Sequence, residues 1–399
     1  MARNPNRWLI LAVGVLAQTS ASAFVYGIPF LVPTLRDTRG LSLAAVGVVV
    51  AAPTAGLLLT LVAWGAVVDR MGERWPMAAG LAITGVVVGG TALDPPDSLA
   101  TVVGLLVLGG MGAGSVNAAS GRLIMGWFPV RERGIAMGIR QTSQPLGVAA
   151  AGLVLPTLAA SEGPFAALVW PALACGVSAV LVALVAADAP RPTREPGAAP
   201  PASPYRTPTL WRVHAASALL VLPQFAISAF ALEYLVREQG WSPGAGGIFV
   251  ATAQVLGAAG RIGAGWWSDR VGTRLRPMRQ LGVASAAVLL VFSLGDLTTG
   301  VVAVVAIAAG AVITVADNGL AFVATAEIAG TAWSGRALGV QNTTQNIMAT
   351  AAPPVLGAVI GASSYAVGFA LAAAAPLLAV VVTPVAAEKA ALHEEAERR

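Results

Sequence analysis

Four charged residues of this 399-residue chain stand inside long apolar runs: Arg122, Arg140, Arg261 and Asp317. A charge in hydrocarbon is costly unless it faces protein or water, so each is a candidate for function. Arg261 is the sharpest case. A guanidinium offers a carboxylate two parallel charge-assisted hydrogen bonds; the competing role is a structural pair with Asp317 or with the loop that carries Asp269. Asp317 is the only carboxylate deep in an apolar run. Without a cationic partner such a group can load and release a proton, whereas paired with Arg261 it stays ionised. Arg140 and Gln144 are four residues apart, hence on one face of a helix, and Gln341 and Gln345 repeat the spacing. These four are expected to line a polar cavity. Gln18, Ser22 and Tyr26 form a second stripe, echoed by Gln224 and Ser228, with Asn117 and Asn318 as further amides. Such groups either contact substrate or hydrogen-bond helix to helix. Arg122 reads as structural, and Glu233 and Glu327 as interfacial.

Composition sets the elements that must position these groups. Hydrophobic residues make up 56% of the chain and charged residues 11%, with a mean hydropathy of +0.76. A soluble domain carries roughly a quarter charged residues, so a water-soluble globule is excluded, and a chain this apolar is not disordered. Twelve apolar segments occur near 8–33, 43–68, 76–93, 99–127, 134–160, 164–187, 210–236, 244–267, 278–296, 300–326, 335–361 and 364–387. Their lengths suit the ~20 residues that cross a ~30 Å hydrocarbon core. The fold expected is an all-α membrane protein with twelve transmembrane helices. The stretch 188–209 differs: its prolines forbid a helix and its polarity forbids insertion. It reads as a linker between six-helix bundles at 1–187 and 210–399, the second ending in a short tail. Trp8 to Pro33 is too long for the apolar region of a cleavable signal. Two histidines and a single cysteine, Cys175, exclude a disulfide framework and most metal sites. No cofactor is expected.

The basic residues report topology. The chain has 24 Lys+Arg, of which 23 are Arg, against 19 Asp+Glu, for a net charge of +5. With the N-terminus inside, 18 basic residues fall on that side and three, Arg36, Arg39 and Arg237, on the other. The positive-inside rule then places both termini in the cytoplasm of a multi-pass inner-membrane protein, and no nucleic-acid partner is needed to explain the charge. The two halves also repeat. LAQTSASAF (16–24) matches LPQFAISAF (222–230), GAVVDRMGER (65–74) matches GWWSDRVGTR (265–274), and GIRQTSQ (138–144) matches GVQNTTQ (339–345). Asn117 maps onto Asn318 at the 201-residue offset of the last block. Three ordered blocks at nearly constant spacing indicate a duplication of six helices, the plan of a secondary transporter that rocks about a midplane site.

The repeated loop G-x-x-x-D-R-x-G-x-R appears as Gly65, Asp69, Arg70, Gly72 and Arg74, then as Gly265, Asp269, Arg270, Gly272 and Arg274. Its glycines allow a tight turn. Its Asp can sit at a helix N-terminus, and its arginines can pair with carboxylates or with carbonyls at a helix C-terminus. A latch of this kind holds one conformation and releases it. The loop, its two placements and the duplicated halves resemble the major facilitator superfamily over the whole chain. That resemblance implies two pseudo-symmetric six-helix bundles, alternating access, and a cavity lined by segments 1, 2, 4, 5, 7, 8, 10 and 11.

Around G-R-I-G-A-G-W-W-S-D-R the chain resembles monocarboxylate and oxalate/formate transporters, in which an Arg on the eighth helix, four residues before the loop glycine, is implicated in carboxylate binding. Here that residue is Arg261, some 17 residues into segment 8, about 25 Å along its axis. Two patterns depart from relatives. Drug exporters carry R-x-x-Q-G-x-G on helix 4, where this chain has Leu106 and Gly109; their helix-5 motif survives only as Gln144, Pro145 and Gly147. Nitrate porters resemble the chain around GWFPVRERGIAMG, but the Arg on helix 2 and the G-N motif on helix 5 are missing. A phosphate-binding G-x-x-x-x-G-K-[ST] loop is also missing, so the chain is not read as an ATP-driven pump or other enzyme. The expectation is a monomeric, proton-coupled secondary transporter of a small organic anion, with efflux of an apolar or cationic compound as the alternative.

Overall fold

The computed structural model describes residues 6–128, 132, 136, 139–188, 203–330 and 333–388, without the side chains of 122, 124 and 125. The Arg122 side chain, most of the linker and the tail beyond Glu388 therefore lie outside the described residues. Among those described, the chain is helical with no strand. In chain order the helices are α1 (Arg7–Val25), α2 (Val32–Arg39), α3 (Leu43–Met71), α4 (Arg74–Leu93), α5 (Leu99–Trp127), α6 (Ser143–Glu162) and α7 (Val169–Val185). After the linker come α8 (Pro208–Arg237), α9 (Pro243–Val271), α10 (Leu275–Asp296), α11 (Val301–Ala329), α12 (Ser334–Ala362), α13 (Tyr365–Ala372) and α14 (Ala374–Val382).

Eleven stretches of these helices are long and apolar enough to cross a bilayer. Helix α12, with 29 residues, stands where the eleventh segment is expected and makes the set twelve. It is less apolar because Gln341 to Gln345 and Asn346 interrupt it. Two segments are broken where prolines interrupt them. The first ends at Val25, passes through a 3₁₀ turn at Ile28–Leu31 and resumes as α2, with Pro29 and Pro33 each at a helix start. The last divides between α13 and α14, with Pro376 in the first turn of α14.

The chain forms two compact units, Met1–Pro196 with Trp241–Thr252, and Gly197–Gly240 with Ala253–Arg399. In the first, α3 and α5 cross backbone to backbone: a Cβ on Gly56 would lie 1.9 Å from the Val107 carbonyl oxygen. Such small-residue crossings supply the packing that membrane helices cannot obtain from a hydrophobic effect. The start of α9 belongs to this unit because Gly247 lies against the Gly152 carbonyl. In the second unit, α8, α10, α11 and α14 close around Val213, Leu275, Met278, Leu320 and Ala379.

The outer faces are apolar as well. Leu59, Val62, Val86, Leu184, Leu294, Val305 and Val381 are all exposed, which suits lipid rather than water. At helix ends, arginines stack on tryptophans as interfacial anchors: Arg74 on Trp75 at 4.8 Å, Arg270 on Trp266 at 3.9 Å and Arg336 on Trp333 at 4.9 Å.

Candidate functional site

The two duplicated loops close on their own bundles through a shared device. Gly72 ends α3 with φ +90° and ψ −175°, and Gly272 follows α9 with φ +69°. In the first unit the Asp188 carboxylate, just beyond α7, accepts the backbone N–H groups of Glu73 at 2.7 Å and Arg74 at 2.9 Å. In the second the Glu388 carboxylate accepts those of Arg274 and of Leu275, the latter at 3.0 and 3.1 Å. Each acid therefore sits at the N-terminus of the helix that follows the loop, where unpaired N–H groups and the helix dipole favour negative charge. The sequence reading gives that position to the loop aspartates and does not identify Asp188 or Glu388. Applying the loop's own 200-residue offset to Asp188 lands on Glu388, a signal present in the sequence.

The loop arginines divide between the two partner types expected of them. The Arg74 guanidinium donates to the Ala183 carbonyl near the C-terminus of α7, through Nε at 2.9 Å and also through Nη2. The Arg274 guanidinium donates to Asp269, to the Ser268 hydroxyl at 3.0 Å and to Glu327 at 3.3 Å. Burial alone would lower the pKa of Arg274, but the hydrogen bonds and charges of Asp269 and Glu327 outweigh it and hold the group above its usual range. Glu327 is thus part of the second loop's network rather than an isolated interfacial acid. Asp69, Arg70, Asp269 and Arg270 are exposed. Gly65 and Gly265 both have open space where a Cβ would lie.

The amides are assembled into matching helix seams. In the first unit Gln18 on α1 donates to Asn117 on α5 at 3.1 Å, and Ser120 donates to the Gln18 carbonyl at 3.1 Å. Arg140, just ahead of α6, extends this chain by donating to Ser120 at 3.0 Å and to Gln141 at 2.9 Å. In the second unit Asn318 on α11 donates to Gln224 on α8 at 2.9 Å. Gln345 on α12 donates to Ser217 at 2.7 Å and reaches Asn318 at 3.4 Å. Gln341 is fully buried and accepts from Thr325 and from His214. Gln18, Gln224, Gln341 and Gln345 are therefore committed to interhelical bonds. Gln144 and Tyr26 are half-buried, and among the described residues no hydrogen bond engages the Gln144 side chain. Glu233 is buried, with Arg237 one turn along at 3.5 Å.

Arg261 and Asp317 fall on neighbouring helices of the second unit. Arg261, half-buried on α9, donates through Nε to the Val315 carbonyl on α11 at 3.2 Å. Asp317, two residues further along α11, is 2% exposed, and among the described residues its Oδ2 has no hydrogen-bond partner. At the offsets of the adjoining repeats, 200 and 201 residues, the N-terminal half carries Leu61 and Val116 in these places. The pair is thus a departure from the internal symmetry, set on helices that otherwise match.

The sequence profile of the Major Facilitator Superfamily matches residues 14–353. A protein of Mycobacterium tuberculosis, named an uncharacterized MFS-type transporter, is 43% identical over 405 residues, covering 100% of this chain and 90% of that one. The oxalate:formate antiporter of Oxalobacter formigenes is 30% identical over 186 residues, covering 45% of this chain and 42% of the antiporter. Among solved structures, a bacterial homologue of the human lysosomal transporter Spinster superposes with a TM-score of 0.75 at 16% identity, over 97% of this chain and 96% of that one. The last likeness concerns the fold alone.

Proposed function

This chain belongs to the major facilitator superfamily, and we propose that within it the protein carries a small organic anion, a carboxylate, together with protons. As a member of that family it is a multi-pass membrane transporter of small molecules and not an enzyme. The observation that carries the anion reading is the placement of Arg261 and Asp317 where the other half of the duplication is apolar. A transporter needs no charge at this depth for packing alone, since Leu61 and Val116 serve the matching helices. The bond from Arg261 Nε to the Val315 carbonyl orients a guanidinium whose planar fork matches the geometry of a carboxylate. The partial similarity to an antiporter named for two carboxylates, oxalate and formate, supports the same charge class.

Asp317 is the proton carrier in this reading. While Arg261 is without substrate its charge favours the ionised carboxylate, and when an anion claims the guanidinium the buried carboxyl takes up a proton. Within each unit the amide seams keep the helices in register. The loops, anchored by Asp188 and Glu388, act as the latch that one conformation closes. Both termini lie in the cytoplasm of a bacterial inner membrane, and the protein works as a monomer.

The test is uptake by purified protein in liposomes, using labelled formate, acetate, lactate, oxalate and succinate, with and without an acidic exterior. Saturable uptake of at least one, accelerated by the proton gradient, is expected. Failure to take up any of them, with gradient-driven efflux of a lipophilic cation, would replace this reading with the exporter one.

A further inference from the structure

The second unit buries a histidine that the reading above does not use. His214, six residues into α8, is 1% exposed. Its Nε2 meets the Tyr205 hydroxyl at 3.1 Å, and its Nδ1 meets the Gln341 carbonyl oxygen, which also accepts from Thr325 at 3.4 Å. Tyr205 lies on a 3₁₀ turn, Pro204–Arg206, at the end of the linker. Its ring packs on Trp211 at 4.9 Å, on His214 at 5.9 Å and on Trp333 at 6.3 Å. The linker thus enters the bundle through a tyrosine whose oxygen touches a buried imidazole.

The hydrogen-bond polarity follows from the partners. Because Gln341 presents its carbonyl oxygen, Nδ1 carries the hydrogen in the neutral ring, and Nε2 accepts from the Tyr205 O–H. Tyr205 remains a donor because burial raises its pKa. If the imidazole takes a proton, both nitrogens become donors, and both already face an oxygen. Only the Tyr205 hydroxyl has to turn, and Tyr205 is half-buried, so its O–H can turn to water. The transfer balances: a hydronium ion from the medium protonates the Tyr205 oxygen and leaves as water, while the original phenol hydrogen passes to Nε2. Of the charged groups on the packed elements, Asp317 is buried further along α11, and the others are engaged elsewhere or exposed. Arg212 holds the Val382 carbonyl, Glu327 pairs with Arg274, Arg336 stacks on Trp333, and Arg206 is exposed.

We propose that His214 is a second proton-binding site, filled from the linker-bearing end of the C-terminal bundle through the Tyr205 hydroxyl. It deepens, and rests on, the proton-coupled reading by giving the coupled proton a port separate from Asp317. Asp317 and Thr325 share α11 and are eight residues apart, about 12 Å along its axis.

The test follows tryptophan fluorescence of purified protein from about pH 8 down to about pH 4, through and below the range in which a free imidazole changes charge. Trp211, whose ring centre is 6.4 Å from that of His214, reports the imidazolium by quenching. The parent should show a quenching step on acidification that His214→Gln abolishes. Tyr205→Phe, which keeps the ring packing, should retain the amplitude but slow the step at least tenfold after a pH jump. Asp317→Asn should leave the step intact while removing gradient-driven uptake, so that the site and the coupling reading fail separately. A parental step in His214→Gln, a parent with no step, or parental kinetics in Tyr205→Phe would overturn the proposal.

Discussion

Gly72 and Gly272 occupy the same position of a duplicated loop and have positive φ, yet alanine at the two sites should behave differently. Each substitution carries a backbone cost of about 1–3 kcal/mol for holding a Cβ at positive φ, the greater at Gly72, whose ψ of −175° lies where glycine alone is at ease. At Gly272 nothing lies within 4 Å of the added carbon, so the cost ends there. At Gly72 the added carbon would lie 2.4 Å from the Asp188 Cγ. The carboxylate must leave, and the N-terminus of α4 loses its cap. A lost cap costs about 1 kcal/mol at an exposed carboxylate such as this one. Gly72→Ala should therefore be the more damaging by at least that amount. Cys175, the only cysteine and fully buried on α7, supplies the assay: a thiol-reactive dye reports its exposure on heating in detergent. The mechanism also requires non-additivity. In an Asp188→Ala background, Gly72→Ala should cost about 1 kcal/mol less than it does in the parent. Equal midpoints for the two glycine variants, or additive effects of Gly72→Ala and Asp188→Ala, would refute the reasoning.

Three further outcomes are expected. Gln345→Ala should lower the melting midpoint, because it strips Ser217 of a 2.7 Å partner in a buried seam, while Gln144→Ala should leave melting unchanged and slow transport. Asp269→Asn should weaken the hold on Arg274 and change the transport rate more than substrate affinity, read as a change in maximal rate at constant half-saturation. A cysteine at Ser203 in a Cys175→Ala chain should react in intact cells with membrane-permeant maleimides only; labelling by an impermeant reagent would reverse the orientation.

Much of the architecture is legible in the sequence because it rests on local features. Apolar length marks each span, and the 200-residue recurrence of Asp69-Arg70 as Asp269-Arg270 exposes the duplication. The loop arginines take the two partner types that the sequence leaves open, a carbonyl for Arg74 and carboxylates for Arg274, but which takes which is not legible in it. The caps escape because Asp188 and Glu388 stand more than 110 residues from the N–H groups they accept, and a lone acid after an apolar run carries no local signature. The amide stripes are ambiguous for a different reason. Spacing places Gln341 and Gln345 on one face, but it cannot say whether that face meets a cavity or another helix. Packing against α8 decides it, through His214 and Ser217. The prolines at 29, 33 and 376 are visible in the sequence, but Pro53, Pro156 and Pro223 stand inside continuous helices, so a proline alone does not mark a break.

The central claim is that Arg261 holds the transported anion. Equilibrium binding of the best-transported labelled carboxylate should be compared, alongside melting, in the parent, Arg261→Lys, Arg261→Ala, Asp317→Ala and the double alanine variant. Since Arg261 bonds the Val315 carbonyl, the lysine variant should fold yet bind at least tenfold more weakly, having lost the planar fork. Arg261→Ala and the double alanine variant should both fail to bind, even where the double change restores the parental melting midpoint. A double variant that melts, binds and transports like the parent would contradict the account, because the two charges would then be a structural pair and nothing more.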